Sequence, residues 1–166
     1  MELNPYASDL DGLDPVPVLF ATPERLRALV APLSADQINR APAPKKWSIR
    51  EIIAHLADCE LVFSFRLRQA LAPAPGEPHA VIQPFDQDVW AQRYAAYDLA
   101  SALNLFESAR TWNLHLLTTL TDADRLRPTT HPERGTMTFW TIVETMAGHD
   151  LHHLPQLERL AANQAE

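Results

Sequence analysis

The chain has 166 residues, 46% apolar and 21% charged, so we expect one globular domain spanning 1–166. Its formal charge of −7 argues against a nucleic-acid partner, because phosphate binding requires clustered lysines and arginines. No run approaches the ~20 apolar residues of a membrane span, and the first residues lack the basic and apolar segments of a signal peptide. Cys59 is the single cysteine, which excludes an intrachain disulfide and agrees with a cytoplasmic location.

The distribution of proline divides the chain into segments. Most of the 14 prolines cluster at 15–23, 42–44, 73–84 and 128–132. Proline lacks a backbone donor and clashes with the preceding helical turn, so it is excluded from helix interiors. The clusters therefore predict connections, and the stretches between them predict helices.

Four helices are predicted in this way. Thr22 followed by Pro23 is typical of an N-cap with proline at the first helical position, and Ser48 with Glu51 fits a capping box. The predicted helices span 22–33, 48–71, 97 or 98–120, and 136 or 138–161, with a short extra helical piece at 87–94.

Three of these helices carry stripes in which spacings of three and four residues alternate, which places the side chains on one helix face. The stripes run through Ile52, His55, Cys59, Val62 and Arg66; through Leu99, Leu103, Phe106, Arg110 and Asn113; and through Phe139, Ile142, Met146, His149, His153 and Gln156. Such stripes favour an all-α fold, an antiparallel four-helix bundle. The link 72–96 between the second and third helices is long enough to form a crossover, so a simple up-and-down order is not required.

Histidines on two of these stripes indicate a metal site. His149 and His153 are one helical turn apart and point the same way, and His55 lies on the inner stripe of another helix. Three imidazoles in a bundle core suit a divalent ion such as Zn²⁺ or Ni²⁺, and three protein ligands leave a position open for water or substrate. The alternative is that each histidine is a hydrogen-bonded core residue, and spacing alone does not decide between the two.

Two segments resemble motifs of the DinB/YfiT-like superfamily. Residues 46–58, KWSIREIIAHLAD, are similar to the second-helix motif of that family, and 146–157, MAGHDLHHLPQL, to its last-helix motif. The likeness extends loosely over 14–160 and includes 84–88 with Trp90. The resemblance implies a helical bundle that binds a divalent metal through one histidine of the second helix and two of the last, here His55, His149 and His153.

Several neighbours of these histidines are candidates for contact with a ligand or a substrate. Asp58 and Asp150 could orient an imidazole or lie on a solvated face, and Gln156 could bind a ligand water or form a core hydrogen bond. Cys59 could approach the metal as a thiolate or be a small buried apolar residue.

Arginines also lie on the inner stripes. Arg66 and Arg110 could hold a substrate carboxylate or pair with Asp86, Asp88 or Glu107. The sequence nominates no general base.

Three hypotheses for the function follow. The resemblance implies a metal-dependent enzyme acting on a small molecule, either a hydrolase or a thiol S-transferase that uses a low-molecular-weight thiol as co-substrate. The second hypothesis is a non-catalytic, stress-associated protein that binds a metal or a small ligand. The third is a structural bundle without metal. A homodimer through the apolar link around 81–85 is also an expectation.

Overall fold

The computed structural model describes residues 3–163, so the ends of the predicted 1–166 domain lie outside the described part. The helices are α1 (Ala7–Leu10), α2 (Pro15–Val30), α3 (Ala35–Asn39), α4 (Ile49–Leu71), α5 (Gln87–Ala91), α6 (Leu99–Leu117), α7 (Asp122–Arg125) and α8 (Phe139–Asn163). The strands are β1 (Ala80–Val81), β2 (Pro128–His131) and β3 (Gly135–Thr138), and a 3-10 turn covers Tyr94–Ala96. The predicted four-helix bundle is confirmed and consists of α2, α4, α6 and α8.

The order of the four helices around the bundle differs from the order along the chain. Both α2 and α4 pack mainly against α6 and α8. One apolar cluster joins the amino-terminal halves of α4 and α6 to the carboxy-terminal halves of α2 and α8, and a second cluster joins the opposite halves. The neighbours α4 and α6 therefore run parallel, as do α2 and α8, and the link 72–96 returns along the bundle. The expectation of antiparallel packing was wrong for these two pairs.

The first long helix begins earlier than predicted, at Pro15 instead of Thr22. The side chain of Asp14 accepts a hydrogen bond from the Val16 amide at 3.0 Å, and Pro15 takes the first helical position. Thr22 is buried in the helix interior, where its hydroxyl donates to the Val18 carbonyl. The signal of a cap followed by proline therefore occurs twice in this segment, and the earlier copy starts the helix.

Pro23 lies inside α2, although proline normally ends or kinks a helix because it lacks a backbone donor. It has no N–H to donate to the Leu19 carbonyl one turn earlier. The Arg110 guanidinium of α6 donates to that carbonyl instead, at 3.0 Å. A donor from another helix thus replaces the missing backbone bond, which the sequence does not reveal.

The other helix boundaries are close to the predictions. Ser48 caps α4 in the predicted capping box, and Asp98 caps α6, which ends at Leu117 instead of Leu120. Thr138, the last residue of β3, directly precedes α8, and its hydroxyl accepts from the Thr141 amide, whereas Thr136, the other candidate start, lies two residues earlier within the strand. The predicted extra piece at 87–94 is helical in α5 alone and continues into the 3-10 turn.

A small sheet was not predicted. Strand β1 pairs in parallel with β2, and β2 pairs antiparallel with β3, with His131 opposite Gly135. The strands are two to four residues long, too short for a period-two pattern to be recognised. The sheet joins the α4–α6 link to the β2–β3 hairpin, which leads directly into α8.

A buried ionic cluster lies between the two apolar clusters of the core. Arg110 of α6 donates to both carboxylate oxygens of Glu60 on α4, at 3.1 and 2.8 Å, and to both of Asp150 on α8, at 2.7 and 3.1 Å. With the bond to Leu19 on α2, all five guanidinium protons have acceptors. Asn113 also donates to Glu60, at 2.7 Å. Burial alone would lower the pKa of Arg110, but Asp150 and Glu60 outweigh it and the pKa is raised.

No helix within residues 3–163 is long and apolar enough to cross a membrane.

Substitution Arg110→Met should lower the free energy of unfolding by about 3–5 kcal/mol, since it leaves two buried carboxylates without a partner. Urea unfolding followed by circular dichroism measures this change. The control is Arg25→Met, which removes an ion pair with Glu158 whose side chains are about half exposed, and should cost at most about 1 kcal/mol. Equal costs for the two variants would contradict the role assigned to Arg110.

Candidate metal centre

The structure brings together the three histidines on which the predicted site depends. The imidazoles of His55, His149 and His153 are 2%, 4% and 7% exposed. The ring centroid of His55 lies 5.1 Å from that of His149 and 5.0 Å from that of His153. The centroids of His149 and His153 are 4.6 Å apart. The Nε2 atoms of His55 and His149 are 3.0 Å apart. Two helices therefore bring three imidazole rings into mutual contact in the bundle interior. The ligand atoms that lie within 4.8 Å of one another, among the described residues, are those of His55, Cys59 and His149, and His153 is not part of that set.

The ionic cluster positions these rings. Glu60 follows His55 by five residues on α4, and Asp150 follows His149 directly on α8. Arg110 binds both carboxylates, so it fixes how far α4 and α8 slide along each other. That register places His55 opposite the pair on α8.

All three imidazoles are neutral at neutral pH. Burial lowers the pKa of His55 to about 3, with a further contribution from His153. Burial, and then the other two rings, lower the pKa of His149 well below its usual value. Burial also lowers the pKa of His153, although Gln156 opposes the shift. Neutral imidazoles carry the lone pairs that bind a metal ion.

Hydrogen bonds orient two of the rings. Nδ1 of His153 lies 3.0 Å from Oε1 of Gln156, an acceptor, so Nδ1 carries the proton and Nε2 has a free lone pair. Nδ1 of His55 lies 3.3 Å from the hydroxyl of Tyr94, which is fully buried. The Trp47 ring packs on His55 with a centroid distance of 4.9 Å. A polar partner on Nδ1 leaves Nε2 to face a metal, the usual arrangement around ligating histidines.

Cys59 offers a second candidate ligand set. Its Sγ lies 3.7 and 3.6 Å from the two ring nitrogens of His55, and His55, Cys59 and His149 each offer a ligand atom within 4.8 Å of the others. Burial, followed by Asp58, raises the pKa of the thiol to about 12. Cys59 is therefore a neutral thiol beside the imidazoles, and its coordination would require the ion to displace that proton.

The spacing of the imidazole nitrogens can be compared with that of a divalent metal site. Metal–nitrogen bonds of about 2.0–2.1 Å in a tetrahedral site place ligand nitrogens ~3.3 Å apart. The 3.0 Å separation of the His55 and His149 Nε2 atoms is close to that value. His55 and His149 therefore fit two ligands of one divalent ion, and His153 and Cys59 are the two candidates for a third.

Other candidate residues lie elsewhere. Arg110 and Asp150 bind each other in the ionic cluster, so the predicted partners of Arg110 were wrong, and all its donors are occupied within the protein. Glu107 pairs with Arg27. Asp58 lines a separate groove between α4 and α6, and it has no hydrogen bond to an imidazole within residues 3–163. The sequence missed these arrangements because stripe positions do not specify partners on other helices.

A cavity of about 310 Å³ opens on one side of the histidine cluster, at His149. We call it the site cavity. Its walls come from α4, the α4–α6 link, the β2–β3 hairpin, α8 and Tyr6, and both Cys59 and His149 line it. Glu133 of the hairpin is the one carboxylate among its described lining residues, next to the buried His131. The sheet brings the hairpin here, so neither residue could be assigned from the sequence.

Tyr6 covers the cluster from the amino-terminal segment. Its ring lies 5.1 Å from the His149 ring and 5.4 Å from the His152 ring. Gly148 allows this contact, because a Cβ there would lie 2.5 Å from the Tyr6 carbonyl oxygen. His152 itself is half exposed, with Nδ1 3.5 Å from the Asp9 carboxylate, as expected for a residue outside the stripe.

The model of the DinB superfamily matches residues 19–157. The chain belongs to the DinB superfamily. This confirms the resemblance carried by the two helix motifs, and the matched range contains all three histidines.

Relatives of this DinB protein are named as candidate metal-dependent hydrolases. One from Oceanobacillus iheyensis is 31% identical over 140 residues, which cover 83% of this chain and 78% of that protein. One from Geobacillus thermodenitrificans is 29% identical over 142 residues, covering 83% and 77%. The solved structure of YfiT from Bacillus subtilis, described as a candidate metal-dependent hydrolase with an unusual four-helix bundle topology, superposes with a TM-score of 0.81 at 23% identity, covering 91% of this chain and 86% of that one. This last likeness supports the fold.

Substitution Gly148→Ala should destabilise the protein by about 1–3 kcal/mol, because the added methyl group meets the backbone of Tyr6. At an unobstructed helix position the same change stabilises by up to about 1 kcal/mol, so the sign of the effect is diagnostic. The midpoint of thermal unfolding gives that sign. A higher midpoint in the variant would show that Tyr6 does not pack against Gly148.

Proposed function

We propose that this protein is a divalent-metal-dependent hydrolase of a small molecule, with His55, His149 and His153 as the metal ligands. One observation carries the proposal: three buried, neutral imidazoles from two helices are in ring contact, and one of them, His149, lines an open cavity. Three protein ligands leave a coordination position for water or substrate, as in catalytic sites. The volume of about 310 Å³ suits a small substrate.

When bound, the ion supplies Lewis acidity, which lowers the pKa of a nucleophile toward neutrality. The residues of the chain orient the ligands, shield them from solvent and accept a proton. Gln156 and Tyr94 hold two of the imidazoles in orientation, and Trp47 shields His55 from solvent. Glu133 is placed to accept a proton in the cavity, which makes it our candidate general base.

The names of the relatives favour hydrolysis over thiol transfer. Thiol S-transfer uses the same kind of metal site with a low-molecular-weight thiol as the nucleophile, so a substrate test must include both reactions. The alternative is a protein that binds a metal ion without catalysing a reaction. Activity measurements on metal-loaded protein distinguish the enzyme from this non-catalytic binder.

Metal content after purification without chelator tests the ligand set. Substitution of His55, His149 or His153 by Ala should lower bound zinc or nickel by about tenfold or more, because each removes one of three ligands. His152→Ala is the matched control, since that neighbouring side chain is half exposed and outside the cluster. Inductively coupled plasma mass spectrometry gives the metal-to-protein ratio.

The same measurement separates the two ligand sets. Cys59→Ser should retain the metal if the three histidines are the ligands. Loss of metal from Cys59→Ser with retention in His153→Ala would replace the proposed set by His55, Cys59 and His149. If the unsubstituted protein contains no bound metal after purification without chelator, the proposed function is wrong.

Activity tests the reaction class and the role of Glu133. Metal-loaded protein should hydrolyse activated esters, and Glu133→Gln should lower kcat by about 10²–10⁴-fold with metal content unchanged. The exposed Glu77 provides the control substitution, Glu77→Gln. Consumption of a thiol in the presence of an arene halide, without ester hydrolysis, would assign thiol transfer instead. Inactivity in both assays would favour the non-catalytic binder.

A further inference from the structure

Arg66 lines the site cavity with part of its hydrogen-bonding capacity unused. Its Nη2 donates to the Gln83 carbonyl at 3.2 Å, but its Nε is buried without a hydrogen-bond partner. None of the ion pairs within residues 3–163 includes it. A buried donor of a cation without an acceptor is costly unless a ligand provides one.

Arg134 lines the same cavity from the β2–β3 hairpin. Its backbone amide donates to the His131 carbonyl, whereas its guanidinium forms no ion pair with the described residues. The neighbouring Glu133 also lines the cavity, but none of the ion pairs among the described residues joins it to either arginine. Two guanidinium groups thus face the cavity without a carboxylate partner from residues 3–163.

The two cations are close enough to affect each other. Burial, followed by the charge of Arg134, lowers the pKa of Arg66 to about 10. Burial and then both arginines lower the pKa of His131, which also lines the cavity. Like charges that face each other in a partly buried space repel, and an anion between them would remove that repulsion.

Aromatic rings hold Arg66 in place. Its Cζ lies 6.0 Å from the Phe63 ring centroid and 5.8 Å from that of Phe85. Rings at these distances contact a guanidinium by cation–π interaction and occupy none of its N–H groups. The donors that remain are suited to a carboxylate or phosphate group, which guanidinium binds through two parallel hydrogen bonds.

We propose that Arg66 and Arg134 form an oxyanion subsite in the site cavity, and that the substrate of this protein is a small molecule carrying a carboxylate or phosphate group. The inference rests on the proposed function for the reaction. Cys59 and His149 line the same cavity, so a substrate held by Arg66 and Arg134 would lie near the proposed metal ligands. The bound anion anchors one end of the substrate. The other end would lie beside Cys59 and His149, where a bound metal ion would supply Lewis acidity.

Isothermal titration calorimetry of the full chain with inorganic phosphate and with acetate tests this subsite. The titrations use the protein as purified and after removal of metal by dialysis, because phosphate also binds metal ions. The metal-free sample should bind at least one of the two anions, and the tighter one identifies the oxyanion class. Arg66→Gln and Arg134→Gln should each weaken binding by about tenfold or more, since each loses charged hydrogen bonds.

Arg159→Gln is the matched control, because it removes the same charge from an exposed position of α8 outside the cavity. It should leave binding unchanged. Anion binding that requires metal, or equal weakening in all three variants, would overturn the subsite. Arg134 lies in the hairpin and not in the bundle core, so Arg134→Gln provides the test if Arg66→Gln fails to fold. Since the key titration uses metal-free protein, loss of the proposed metal function would not hide the result.

Discussion

The contacts of one buried guanidinium hold the four long helices in register. Arg110 on α6 binds Glu60 on α4, Asp150 on α8 and the Leu19 carbonyl on α2, all in a layer between two apolar clusters. Apolar contacts tolerate sliding of one helix along another, whereas these hydrogen bonds have one geometry. Because buried carboxylates must keep a partner, alternative registers of the bundle are disfavoured.

The candidate metal centre depends on this layer. His149 is adjacent to Asp150 in sequence, so the contact that fixes the carboxylate on α8 also fixes the height of the imidazole. The rings then share a space that excludes water and lowers their pKa values, which keeps them neutral. Structural and chemical roles are therefore divided between adjacent residues. The charged side chain of Asp150 fixes the helix register, and the neutral imidazole of His149 presents a lone pair.

The site cavity is assembled from segments outside the bundle. The β2–β3 hairpin brings Glu133 and Arg134, and the amino-terminal segment brings Tyr6 against Gly148. These parts are joined to the bundle through short strands and a glycine contact. The bundle therefore provides the candidate metal ligands, and the connections provide the groups proposed to select a substrate.

The sequence by itself determined the helical bundle and the inward position of the three histidines, because helix periodicity is local and caps such as Ser48 are read within four residues. The motifs also determined the family. Tertiary structure alone decided that α4 and α6 run parallel, that Arg110 compensates for Pro23, and that Arg66 and Arg134 share a cavity. These are contacts between residues distant in the chain, and no local pattern encodes which distant donor meets which acceptor.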